Sequence, residues 1–143
     1  MKFKLLNDGA QKTFAIVLDN NEHVMACLKD FAVKQNIHAA QFTAIGALRQ
    51  AVLGFFKFDM GDYKKIYVDE QTEVLNMSGD ISIYKNEPML HVHVVLGKED
   101  GTAHGGHLME GIVHPTLEVI LTESPGHLNR KMDDSVGIPL IKI

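Results

Sequence analysis

Leu90 to Gly111 reads LHVHVVLGKEDGTAHGGHLMEG, and the alternation inside it decides how the rest of the chain is read. Four of the eight histidines lie here. The stretch opens with apolar and β-branched residues, breaks at Gly97-Lys98-Glu99-Asp100-Gly101 and resumes through Met109, which predicts a β-hairpin. Side chains alternate faces along a strand, so His91 and His93 share one face and Val92 and Val94 the other. If Gly97 faces Gly101 across a three-residue loop, His91 stands opposite His107 and His93 opposite Gly105, all on one face. Directly opposed Cβ atoms are roughly 4.5–5.5 Å apart and imidazole nitrogens bind zinc at about 2.0–2.1 Å, so these three imidazoles could close on one ion. The missing side chain at Gly105 would leave room for it. His104 faces away with Val94 on the same count. Two alternatives stay open: a β-bulge at Gly105-Gly106 would exchange His104 for His107, and strand histidines commonly just hydrogen-bond to backbone or water.

Working outward, Phe3 to Leu6 and Thr13 to Leu18 read as strands joined by a turn at Asn7-Asp8-Gly9. Asp19 and Glu22 have the spacing of a helix start, and a helix is expected from about Asn21 to Gln35. Val24, Cys27, Leu28, Phe31 and Ala32 form its apolar stripe. Ile37 to Ile45 reads as a strand that Gly46 ends, with a second strand from Ala47 to Phe58. Met60-Gly61-Asp62 reads as a turn and Lys64 to Glu70 as a polar edge strand. Two short strands, Glu73 to Met77 and Ile81 to Tyr84, are expected around a Ser78-Gly79-Asp80 turn. After Gly111 the chain should change direction at Ile112-Val113-His114-Pro115, and Leu117 to Thr122 alternates as a further strand. Arg49 stands alone among apolar residues, suited either to an anion or to a buried or inter-subunit ion pair.

One hundred and forty-three residues, 45% apolar and 22% charged, match one soluble domain. The expectation is a single domain over 1–143, its tail from about 124 to 143 wrapping the domain or a neighbour. Cys27 is the single cysteine and cannot form an internal disulfide, which fits a reducing cytoplasm. No stretch has the pattern of a signal peptide or membrane span. A net charge of −4 and a pI near 6.0 argue against an electrostatic nucleic-acid binder, and Lys64-Lys65 reads as solvated surface. No dinucleotide-binding glycine pattern and no nucleophile elbow occurs.

LHVHVVLGKEDG followed by GGHLMEG resembles the core of the Plants and Prokaryotes Conserved domain family. AIGALRQAVLGFF (Ala44 to Phe56), EVLNMSGDIS (Glu73 to Ser82) and TLEV (Thr116 to Val119) are similar to it as well. The resemblance implies a compact α/β trimer, and it implies a metal on His91, His93 and His107, as in some prokaryotic members. In plants the domain accompanies AT-hook DNA-binding segments. This chain lacks the R-G-R-P core of an AT-hook, so minor-groove reading by that element is not expected.

The fold expected is α+β, an antiparallel-rich mixed sheet with one principal helix, forming the homotrimer that the resemblance implies, which would also cover the sheet face that one helix leaves open. The leading functional expectation is a stand-alone regulatory or DNA-binding protein with a three-histidine zinc site, more a binding protein than an enzyme. The other is a small metal-dependent enzyme or ligand binder using an open coordination position, with Glu110 or Glu118 as its base. A cleft over the histidines would favour the second. Metal affinity is expected to fall as pH drops through about 6.5.

Overall fold

The computed structural model describes all residues from Met1 to Ile143. Nine strands and one helix follow in the order β1 (Lys2–Asn7), β2 (Thr13–Leu18), α1 (Val24–Lys34), β3 (Ala40–Lys57), β4 (Asp62–Val68), β5 (Thr72–Tyr84), β6 (Glu87–Gly97), β7 (Ala103–Glu123), β8 (Asn129–Asp133) and β9 (Ile138–Lys142). The sheet is mixed and almost wholly antiparallel, its one parallel contact joining Ile83 of β5 to Asn129 of β8. No helix is long and apolar enough to cross a membrane.

The strands are longer than the sequence suggests. Gly46 does not end β3; the register with β5 and β7 shifts there and the strand continues for eighteen residues in all. Ser78-Gly79-Asp80 is not a turn, because β5 runs through it and each of the three residues pairs with both β3 and β6. Nor does the chain turn away at Pro115: β7 passes through a cis His114–Pro115 bond with a register shift and pairs with β3 on both sides of it. Shifts of this kind keep a long strand paired while it bends. The turn into β6 sits at Lys85 and Asn86, both with positive φ, and Glu87 and Pro88 already belong to the strand.

Because the strands are long, β3 pairs with β5, β5 with β6, β6 with β7, and β7 returns to β3. Leu53, Met77, Ile81, Val92, Val94 and Leu108 are buried in the core, and full burial of such a side chain contributes roughly 1.5–3 kcal/mol. The helix closes the core beside β6 and β7 with Val24, Leu28, Phe31 and Ala32. Phe31 meets Phe14 of β2 edge-on at 5.2 Å. The helix begins at Val24 instead of Asn21 because Asp19 and Glu22 form a turn ahead of it. The Glu22 carboxylate accepts from the Asp19 amide at 2.8 Å, Asn21 has φ 66°, and backbone bonds to Val113 tie this turn to β7. Beyond β7 the tail folds as the β8–β9 hairpin on the β5 edge.

Candidate metal centre

The hairpin pairs His93 with His107, Val95 with Gly105, Leu96 with His104 and Gly97 with Ala103. The expected register is therefore wrong by two residues: His107 faces His93 and not His91. Gly101 is the cause. It lies inside the loop at φ 80°, its amide donating to the Lys98 carbonyl at 3.0 Å while the Lys98 amide donates to Thr102 O at 2.9 Å. A turn followed by a left-handed glycine is a common three-residue hairpin loop, here Glu99-Asp100-Gly101, and Asp100 locks it by accepting from the Thr102 amide and hydroxyl. An even shift leaves every side chain on its face. Pairing with β6 runs unbroken through Gly105-Gly106, so no bulge exchanges His104 for His107. Gly105 stands opposite Val95, so the space it leaves lies two pairs along the ladder from His93 and His107.

His91, His93 and His107 gather on the face opposite the buried Val92 and Val94. Their ring centroids lie 5.0, 5.3 and 5.5 Å apart, and one ligand atom from each falls within 4.8 Å of the others. His91 Nε2 and His93 Nε2 are 3.2 Å apart, close to the roughly 3.3 Å between two nitrogens on a tetrahedral zinc ion with bonds of 2.0–2.1 Å. Two ligands on one ion cannot exceed about 4.2 Å, so the widest pair would close by side-chain rotation. His107 Nδ1 is buried with no hydrogen-bond partner, and the Tyr63 ring lies beside the His107 ring at 5.0 Å. Three imidazoles, one carrying an orphaned buried nitrogen, fit a borderline transition metal better than magnesium or calcium, which favour oxygen.

The electrostatics favour the neutral form of two of the rings, His107 and His93. Burial, then the neighbouring His91, His93 and Arg130, pushes His107 down to about 4. Burial and then His91 lower His93. These two rings resist protonation to lower pH than the 6.5 of an ordinary histidine, and neutral imidazole is the form that can bind a metal.

Asp80 is the neighbour that sequence reasoning missed. It pairs with His91 across the β5–β6 ladder, its Oδ2 lies 3.6 Å from His91 Nδ1, and Arg130 of β8 holds it through two bonds of 2.8 and 2.9 Å. Desolvation opposes its ionisation, but His91, Arg130 and Ser82 together outweigh this and hold its carboxyl below the usual range. Once β5 is known to be continuous, Ser78, Asp80 and Ser82 fall on the face of His91 and His93; read as a turn, the stretch hides that pattern.

The other candidates lie elsewhere. Neither Glu110 nor Glu118 belongs to the histidine group. Glu110 lines a cavity of about 330 Å³ with Gln50, Tyr67 and Asp69, and Glu118 sits between Val17 and Ile45. Arg49 is exposed and not in an apolar setting, donating to Asn21 Oδ1 at 3.0 Å. Lys64 and Lys65 are exposed on β4.

Comparison with known proteins follows the same lines. The model of the Plants and Prokaryotes Conserved (PCC) domain matches residues 6–125. A metal-containing protein from Archaeoglobus fulgidus is 31% identical, with 99% of this chain and 97% of that one covered and a TM-score of 0.86. A plant- and prokaryote-conserved protein from Pyrococcus horikoshii is 30% identical, covering 99% and 95%, at a TM-score of 0.87. A candidate DNA-binding protein from Ralstonia eutropha JMP134 is 25% identical, covering 91% and 90%, at 0.86. Among curated proteins, the bifunctional protein GlmU of Synechococcus sp. strain JA-3-3Ab is 26% identical over 136 residues, which are 92% of this chain. The match spans only 20% of that protein's length.

Proposed function

This chain belongs to the Plants and Prokaryotes Conserved (PCC) domain family, and from that premise we propose that it is a stand-alone regulatory binding protein. In this reading it is a homotrimer that holds one divalent transition metal, zinc in the first instance, on His91, His93 and His107. The observation that carries it is the convergence of three imidazole donors within 4.8 Å on one sheet face. That an Archaeoglobus relative is described as metal-containing adds support. A bound ion would supply Lewis acidity and, with three protein donors, an open position for water or a ligand. That open position is also what favours the second reading, a metal-dependent enzyme or ligand binder.

The trimer is supported by apolar side chains that this chain leaves in water. Phe58 and Met60, at the β3–β4 turn, are 81% and 71% exposed, and Ile45 on β3 is 61% exposed. Phe58 and Met60 lie together at one turn, and a contiguous apolar patch of that kind is what a subunit interface covers. The whole chain would act as one domain in a cytoplasmic setting. DNA association, the candidate activity of the Ralstonia protein, would have to use some surface other than an AT-hook, with a net charge of −4 working against it.

Zinc titration of wild type and of His91→Ala, His107→Ala and His104→Ala tests the site. The first two variants should lose binding and the third keep it. Loss in His104→Ala with retention in His107→Ala would overturn the ligand set. Light scattering over a concentration series tests the trimer, which a monomer mass at tens of micromolar would rule out.

A further inference from the structure

Arg130 is the one charged side chain buried in the chain, and three of its four hydrogen bonds go to β5, the strand beside His91 and His93. Its side chain is 5% exposed. Nη2 donates to both oxygens of Asp80, Nε to Ser82 Oγ at 2.7 Å, and Nη1 to the Pro139 carbonyl at 3.0 Å. A guanidinium fixed by four bonds holds a carboxylate in one orientation. That carboxylate stands on the Nδ1 side of His91 at 3.6 Å, while His91 Nε2 points to His93 Nε2. The separation from Asp80 is that of an ion pair, just beyond a hydrogen bond, close enough for its charge to act on where the ring holds its proton. An anion beside Nδ1 attracts an N–H there and repels a lone pair.

We propose that Arg130 and Asp80 are positioning residues that hold His91 as its Nδ1–H tautomer, so that the Nε2 lone pair is presented to the histidine cluster. Its importance for metal rests on the metal-binding reading above; the tautomer itself does not. One corollary concerns His93. With the His91 Nε2 unprotonated, the 3.2 Å contact between the two rings requires His93 to donate from its own Nε2, so the metal-free protein holds adjacent histidines in opposite tautomers. Carboxylates that fix a histidine ligand in this manner are a general feature of metal sites. The β8–β9 hairpin, far from the histidines in sequence, thereby becomes part of their setting.

Long-range ¹H–¹⁵N correlation spectra of the metal-free, ¹⁵N-labelled protein near neutral pH read each tautomer directly, with signals assigned by their loss in His91→Gln and His93→Gln. The expected result is Nδ1–H at His91 and Nε2–H at His93. Asp80→Asn and Arg130→Met should shift His91 toward the Nε2–H form and weaken zinc binding on the order of ten- to a hundredfold. Arg130→Lys, which keeps the charge but not the fork, should restore only part of the affinity. A merely structural role for Arg130 would lower the melting temperature and leave the His91 tautomer unchanged. His91 found as Nε2–H in the wild type overturns the proposal even if no variant folds. Absence of zinc binding with His91 as Nδ1–H would instead sink the metal reading and leave the tautomer assignment standing.

Discussion

Gly79→Ala should damage both the fold and the histidine cluster through one added methyl group. Gly79 lies mid-strand in β5, paired with Phe42 on one side and Val92 on the other. A Cβ placed there would be 2.6 Å from Phe42 Cζ and 2.7 Å from the His91 carbonyl oxygen, about 0.8 Å short of the ~3.5 Å at which non-bonded atoms rest. Phe42 is buried in the core and the carbonyl is backbone, so neither is the free end of a mobile side chain. Overpacking of this kind costs roughly 1–3 kcal/mol, and two rigid neighbours place Gly79→Ala near the top of that range. A chain of this length loses about 0.3 kcal/mol of stability per degree near its midpoint at the usual ~2.1 cal/mol/K per residue, so ~2–3 kcal/mol lowers Tm by about 7–10 °C. The strand forced aside carries His91, so zinc affinity should fall by at least about tenfold. Thermal melts at matched protein concentration and zinc titration read the two effects. Gly126→Ala is the control, since a Cβ there meets nothing within 4 Å and should change stability by less than about 0.5 kcal/mol. A Gly79→Ala protein melting within 2 °C of wild type with unchanged zinc affinity would refute the close approach of β5 and β6 from which the site is built.

Three further expectations follow from charge and packing. His107 and His93 bind protons less readily in the fold than in the open chain, so the unfolded state takes up more protons as pH falls. Stability should be fully present above about 6.5 and decline toward the His107 value of about 4, with Asp80 adding a further loss below the ordinary carboxylate range; denaturant midpoints against pH check this, and a midpoint flat from pH 7 to 4 contradicts it. Because His93 and His107 resist protonation, lowering the pH through about 6.5 should cost zinc affinity less than protonating three ordinary imidazoles would. A loss as steep as three protons would show that these two rings are not buried as described. Fluorescence titration with labelled duplex at near-physiological salt should give weak binding or none, whereas submicromolar affinity that falls steeply with salt would reveal a basic surface that the net charge of −4 conceals.

What could be read from the sequence depended on whether the signal was local. The shared face of His91, His93 and His107 was legible because strand periodicity is two, and an error of two in the register cannot move a side chain across the sheet. The register itself was not, because Gly97 and Gly101 look alike in sequence and only one of them takes a left-handed conformation. Gly46, Gly79 and Pro115 read as chain breaks by residue type, yet β3 and β7 continue past the first and last through register shifts, and β5 passes through Gly79 in unbroken register. The helix stripe was plain from Val24 to Ala32, but Asp19 and Glu22 formed a turn of their own instead of its cap. Asp80 and Arg130 lie fifty residues apart in sequence, and no local pattern ties one to the other. Arg49 drew attention as a lone charge among apolar residues, but β3 is irregular there, and after the buried Ala47 and Leu48 both Arg49 and Gln50 face solvent.

Elemental analysis of the protein purified without chelator or metal-affinity tag, after incubation with zinc and removal of the excess, tests the central claim most directly. One ion per chain in the wild type and in His104→Ala, and none in His91→Ala or His107→Ala, is the predicted result. A wild-type protein that remains metal-free after such loading, or that holds its ion equally well without His91 and His107, would contradict it.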